Sequence, residues 1–347
     1  MGATLSYKQV KWLDGLGAKP ENVVASRAVL ARNFPYYPFP DRASVEERRT
    51  IEERALTILE ATQILSRGQY VPSDSLNSFE IRFLEERQLL PEGFSNAGAH
   101  AGVFMSDDQT FSIVVNCGDH VTFRAMASGL ELDAVWNQVN ALDDQFSKVI
   151  DFAFDERRGF LVSRVDCVGT GLKLSAIVHL PALTIDGNVS GLDQRVREQR
   201  HALHGAFGGG GLGAGDFYLL TNQCSLGRSE AEVVFHLRHI VNDLIVSEAD
   251  VRARMAKENG RALEDRVGRA LGVARGARFL ELPEALDILS AVRLGVITSV
   301  LPGYALRTVN ELLVEAQQGH LELKAGQECD SVTLSAERAD LFRARLQ

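Results

Sequence analysis

Between residues 102 and 222 short apolar runs alternate with an amphipathic helical stripe, whereas beyond about residue 246 only helical signals remain. A chain that changes its hydrophobic period once in this way divides into a mixed layer and a helical one. Gly102–Ser106 and Thr110–Asn116 are short apolar runs parted by Asp107-Asp108-Gln109, which has the composition of a hairpin turn. Leu132, Val135, Val139, Leu142, Phe146 and Val149 then advance by threes and fours, one buried helical stripe. Strand-like runs return at Gly159–Val165, Leu172–Pro181 and Asp216–Asn222. Strand pairs separated by amphipathic helices predict an antiparallel sheet with helices packed on one face.

Two capping boxes mark helix starts. Ser44 with Glu47 opens a helix over residues 44–66 that buries Ile51, Ala55 and Ile58. Ser229 with Glu232 opens another, with Val233, Leu237, Ile240 and Leu244 on its inner face. A later helix after Pro283 carries Leu286, Leu289, Val292, Val296 and Val300. The division read from these signals is an α+β domain over residues 1–245, with a short helical part at 1–95, then an all-helical domain over 246–347.

Charge narrows the partners. Lys and Arg number 37 against 46 Asp and Glu, a net charge of −9, so the chain as a whole attracts neither nucleic acid nor an anionic membrane. Any phosphate site must be a local cluster of positive charge. Cys117, Cys167, Cys224 and Cys329 are far apart with no Cys-x-x-Cys pair, which points to free thiols in a reducing compartment and away from zinc. No apolar run approaches the roughly 20 residues of a membrane helix, and the amino terminus lacks a signal-peptide layout. The expected location is the cytoplasm. Met1-Gly2 with Ser6 formally fits a myristoylation pattern, a match short enough to arise by chance.

Several segments share one resemblance. Val24-Ala25-Ser26-Arg27-Ala28-Val29-Leu30-Ala31-Arg32-Asn33-Phe34 is similar to a Ser-Ser-Arg-Ile-Arg-Leu-Ala-Arg-Asn segment of the bacterial protein-arginine kinases, relatives of creatine and arginine kinase. Val168-Gly169-Thr170-Gly171-Leu172 with His179-Leu180-Pro181, and Asn222-Gln223 with Leu226-Gly227, resemble two of that family's strands. Glu264-Asp265-Arg266-Val267, Val292-Arg293-Leu294-Gly295 and Asn310-Glu311-Leu312-Leu313 resemble its helical carboxy-terminal domain. The resemblance implies a phosphagen-kinase-like (glutamine-synthetase-like) antiparallel sheet, ATP with magnesium as co-substrate, and a homodimer formed through residues beyond about 246.

It also shows what has been replaced. Transfer of a phosphoryl group to a guanidinium relies on positioning and charge neutralisation. It also needs carboxylates to orient a group whose pKa exceeds 12. The family's Asn-Glu-Glu-Asp-His-x-Arg reads here Asn116-Cys117-Gly118-Asp119-His120-Val121-Thr122, so both glutamates are gone. Its Arg-Gly…Gly-Glu loop reads His204-Gly205-Ala206-Phe207-Gly208-Gly209, with Gly209 at the glutamate position. Its Cys-Pro-Thr-Asn reads Arg164-Val165-Asp166-Cys167. Of the arginine positions that the family places on the phosphates, Arg27 is unchanged and the others hold Val29, Thr122, Lys173 and His204. Each charge-assisted contact is worth about 1.5–3 kcal/mol, so ATP binding should be weak or absent unless something compensates. Arg124, on the same strand face as Thr122, and Arg164 are the candidates to compensate. An arginine-aspartate pair by which the family senses phosphoarginine falls on Leu334 and Ser335.

Other features have plainer readings. Gly208 to Gly213 holds five glycines around Leu212 but lies in no βαβ unit and is followed by no Gly-Lys-Ser/Thr, so it reads as a surface connection. Arg195, Arg197, Arg200 and His201 form a basic cluster, a solvated helix face or a ligand site. Asp119 and His120 are either a hydrogen-bonded structural pair or nucleotide contacts. The leading expectation is a pseudokinase acting as scaffold or regulator, paired with an active relative or the Clp degradation machinery. The alternative is an active guanidino kinase with a rearranged phosphate site.

Overall fold

The computed structural model describes residues 9–187, 189–208 and 214–347. Met1, Gly2, Ser6 and the residues from Gly209 to Gly213 lie outside the described residues. The strands are β1 Val23–Arg32, β2 Gly68–Pro72, β3 Gly102–Ser106, β4 Phe111–Cys117, β5 Asp119–Ser128, β6 Phe154–Asp155, β7 Gly159–Phe160, β8 Leu172–His179, β9 His201–Gly205 and β10 Phe217–Asn222. The helices are α1 Val45–Ala61, α2 Ser78–Glu86, α3 Leu132–Ser147, α4 Pro181–Ile185, α5 Val189–Glu198, α6 Glu230–Gly276, α7 Leu282–Ile297, α8 Leu306–Glu315, α9 Gln318–Ala325 and α10 Ser331–Arg345. Eight strands form one sheet in the order β2-β3-β4-β5-β1-β8-β10-β9, and every pairing in it is antiparallel.

The helix starts follow their capping boxes. Ser44 Oγ accepts from Glu47 N while the Glu47 carboxylate accepts from Ser44 N, and Ser229 with Glu232 repeats the exchange. The predicted 44–66 helix stops at Ala61, because Gln63 adopts a left-handed conformation (φ 60°) and a 3₁₀ turn follows. The Asp107-Asp108-Gln109 turn forms as expected, with Asp108 Oδ1 accepting from Thr110 N and from the Ser106 hydroxyl.

Helices α1, α3 and the first half of α6 cover one sheet face. Ala28, Leu30, Phe123, Leu174 and Leu220 meet Ile51, Val139, Phe146, Leu237 and Leu244 there. Helices also cover both ends of the opposite face, which corrects the one-sided packing read from the sequence. Val24, Met126, Ile177 and Phe217 pack beneath Leu286, Leu289, Val309 and Phe342 at one end. Val71, Val103, Met105 and Val114 pack against Phe83, Leu84, Leu90 and Phe94 at the other. Between them the middle of that face is polar.

Four expectations change. Val149 lies beyond the end of α3 and is 51% exposed, so it is not part of the buried stripe. Gly159–Val165 is a strand only at Gly159–Phe160; Ser163 N and Oγ bond to Asp119, and Val165–Cys167 curls into a 3₁₀ turn. The division at 245/246 falls inside α6, whose helical geometry is interrupted only further on, at Asn259 (φ −133°, ψ 34°). Leu286 and Leu289 are wholly buried against the chain's own sheet, so they offer no surface for a second copy.

Candidate functional site

Cross-strand register places the residues singled out in the sequence on the open middle of the second face, because residues paired directly across a sheet share a side. Val29 on β1 pairs with Arg124 on β5 and with Lys173 on β8. One step along, Arg27 pairs with Met126 and Ser175, and Ser175 with Thr221. Thr122 pairs with Ala31 and Val114, and His204 with Leu219 near the sheet edge. The alternation of β-strands thus brings Arg27, Thr122, Arg124 and Lys173 together from three strands, with exposed His204 to one side.

The cations divide into two groups. Arg27 Nη1 donates to Gln88 Oε1 (2.6 Å) and its Nη2 to Ser175 Oγ (3.4 Å), while its Nε has no partner among the described residues. Arg124 Nε donates to Gln88 O (3.1 Å) and Nη2 to Leu90 O (3.2 Å). These acceptors come from the turn after α2, where Gln88 takes a left-handed conformation (φ 63°). Among the described residues no carboxylate forms an ion pair with either guanidinium. Burial lowers Arg27 to about 10, with Glu92 opposing and Arg164 adding to the shift. Burial, and then the charge of Arg27, lowers Arg124 to about 9. Both remain cations at neutral pH, side by side.

Lys173 and Arg164 share one carboxylate. Arg164 grips Asp166 through Nε to Oδ1 (3.1 Å) and Nη2 to Oδ2 (2.9 Å). Lys173 Nζ donates to the same Oδ2 (2.7 Å) and to Asn222 O. Burial pushes the Asp166 carboxyl up, but the hydrogen bonds from Arg164 and Lys173 outweigh it and hold the group well below the usual carboxylate range.

The groups at the replaced positions and next to them are glycine, protonated thiols or side chains already held within the chain. Cys117 and Gly118 form the tight turn between β4 and β5, with Gly118 at φ 74°, and burial pushes the Cys117 thiol up to about 11. Cys167 is also raised to about 11, by burial and then by Asp166. Neither sulfur is a thiolate near neutrality. Asp119 accepts from Asn33 Nδ2 (2.7 Å), Ser163 N (2.7 Å) and Ser163 Oγ (2.8 Å). His120 Nδ1 accepts from Phe34 N (2.9 Å) and its Nε2 donates to Pro38 O (2.8 Å), which fixes a neutral ring. Asp119 and His120 are thus each held by hydrogen bonds within the chain, both of them to Asn33. Arg195, Arg197 and Arg200 are exposed, Arg197 pairing with Asp193, and read as a solvated helix face; His201 is buried at the start of β9.

On this face a triphosphate would have to displace contacts made within the chain. Thr122 is neutral, Lys173 and Arg164 are held by Asp166, and Arg27 and Arg124 share Gln88. At the two positions expected for the arginine-aspartate sensor, Ser335 Oγ donates to Glu281 Oε1 and Leu334 carries no charge, while Arg343 and Asp340 form an ion pair further along the same helix. Sequence reasoning named both arginines but missed Gln88 and Asp166. A polar residue closing a helix, as Gln88 does after α2, was the available signal for the first; for Asp166 it was the carboxylate two residues from Arg164.

Comparison with known proteins finds relatives over nearly the whole chain. Residues 50–251 match the family model for the ATP:guanido phosphotransferase C-terminal catalytic domain, and residues 260–347 match that for the protein-arginine kinase McsB C-terminal domain. The protein-arginine kinase of Syntrophomonas wolfei is 32% identical over 340 residues, covering 97% of this chain and 95% of that one. That of Symbiobacterium thermophilum is 33% identical over 345 residues, covering 99% and 98%. Among solved structures, the duplicated taurocyamine kinase of Schistosoma mansoni superposes with a TM-score of 0.61 at 22% identity, over 77% of this chain and 38% of that one. A lombricine kinase gives 0.59 at 23% identity, over 73% and 74%. These two likenesses concern the fold alone.

Proposed function

We propose that this chain, which belongs to the protein-arginine kinase family of ATP:guanido phosphotransferases, is a pseudokinase that serves as a scaffold or regulator, because the positions of the family's glutamates hold no carboxylate. The observation that carries the reading is the state of the acidic groups. Positions 117, 118 and 209 hold cysteine and glycine, Asp119 is consumed by three donors, and Asp166 is bound to two cations. A missing general base alone costs roughly 10²–10⁴ in rate, and lost transition-state contacts to the phosphates multiply it. ATP with magnesium, the co-substrate that the family's name implies, binds weakly or not at all in this reading.

The test is direct. Purified protein incubated with ATP, magnesium and a protein substrate should yield no phosphoarginine by mass spectrometry above a no-enzyme control. Signal above that control that disappears in R27A would restore the alternative, an active kinase with a rearranged site.

As a scaffold in the cytoplasm, the protein would act by pairing, with an active relative, the Clp degradation machinery or itself. A homodimer is part of this proposal. With Leu286 and Leu289 in the core, its contact would use the outer surface of the helices beyond 246, where Phe279 and Val332 are exposed. Light scattering on the full chain should give twice the 38.0 kDa chain mass; a monomer at micromolar concentration would remove this part.

A further inference from the structure

The two groups of cations on the open face differ in one respect that bears on ligand choice: one is already occupied by a carboxylate of the chain itself. We propose that Asp166 is the specificity-determining residue of this face, an internal anion that fills the Lys173–Arg164 half and leaves the Arg27–Arg124 half to a single phosphate-sized group. The inference deepens the reading above, resting on it for the location of the site but not for the absence of catalysis.

The geometry supports it in three ways. Asp166 receives the bidentate fork of Arg164 and the ammonium of Lys173, so its carboxylate makes the contacts an anionic ligand group would otherwise make there. Lys173 is buried on β8, one register step from Arg27, so its charge cannot swing to a distant partner and is available to a ligand only if Asp166 leaves. Arg164 also acts electrostatically on Arg27, which puts the occupied half within reach of the other. A chain of two or three phosphates spanning both halves would have to compete with the Asp166 carboxylate for Arg164 and Lys173. A lone phosphate on Arg27 and Arg124 would not.

Calorimetry on the full chain tests this with inorganic phosphate, pyrophosphate and ATP as probes, for wild type, D166N and D166A. D166N removes the charge and keeps the shape, and D166A serves if the amide disturbs folding. The expected result is at least tenfold tighter binding of pyrophosphate and ATP by the variant, a gain that D166N/K173M loses, with inorganic phosphate changed by less than threefold. Equal affinities in wild type and both variants would overturn the assignment, as would a gain that survives K173M. Phosphoarginine formed by the wild-type protein would overturn the pseudokinase reading and leave these ratios meaningful, so the two ideas fail separately.

Discussion

One face of the sheet carries buried cations at two places, and their surroundings differ. At the junction with the carboxy-terminal helices, Arg293 donates to Pro20 O, Glu21 O, His179 Nδ1 and Asn310 Oδ1. His179 passes its Nε2 hydrogen to Ser290 Oγ (3.0 Å), which donates to Asp216 Oδ2 (2.6 Å). Burial lowers Arg293 to about 9 and drives His179 well below its ordinary value, so the ring is neutral and every contact has one donor and one acceptor. In the middle of the same face, Arg27 leaves Nε unpaired among the described residues and shares Gln88 with Arg124. Buried polar groups in proteins are almost always satisfied, and a satisfied network specifies a structure. The junction is built as structure. The centre keeps a buried donor without a partner among the described residues.

That contrast can be broken by mutation. The largest expected effect is R293A, which strands two backbone carbonyls, His179 and Asn310. A loss of about 3 kcal/mol or more in urea unfolding is anticipated, since each stranded buried group costs roughly 1–3 kcal/mol. A variant within about 0.5 kcal/mol of wild type, the scatter of ordinary surface changes, would show the junction to be dispensable.

An intermediate effect concerns Glu248, wholly buried beneath α4, whose two oxygens accept from Ala182 N and Leu183 N (both 2.9 Å). Burial outweighs those hydrogen bonds and raises the carboxyl to about 7. A carboxyl raised in the folded state contributes stability that is fully present below its unfolded pKa and is lost as pH rises through about 7. Stability should therefore fall between about pH 4.5 and 7 by at most ~1.4 kcal/mol per pH unit for this proton. E248Q should flatten that slope; an unchanged slope would assign it to other groups.

The smallest effect is expected for R124M. Replacing a buried cation that has no ion-paired carboxylate removes its desolvation cost, which offsets the stranding of Gln88 O and Leu90 O, so unfolding should shift by less than about 1 kcal/mol, in either direction. A loss as large as that of R293A would mean that Arg124 is structural and would erase the distinction between the two regions.

Much of the fold was legible because burial is periodic. The capping boxes at Ser44 and Ser229, the stripe on α3 and the hairpin at Asp107 are local patterns, and each formed where the spacing put it, save that α3 ends before Val149. The run 159–165 was misread because its apolar residues face a turn whose shape is set by distant Asp119, 44 residues away from Ser163. Strand β9 and the edge strand β2 carry too little alternation to be seen without their neighbours.

The site divides along the same line. The residue types at 117, 118, 164 and 209 are facts of the sequence, and with them the absence of a carboxylate at each of those positions. Which charges meet is another matter. Arg27 reaches Gln88 across 61 positions, Arg124 reaches Leu90 across 34, and Arg293 reaches His179 across 114. Side-chain period states how deeply one residue is buried, a property of its own element. The partner of a buried charge depends on strand order and on the path of loops between elements, and only the folded chain decides those.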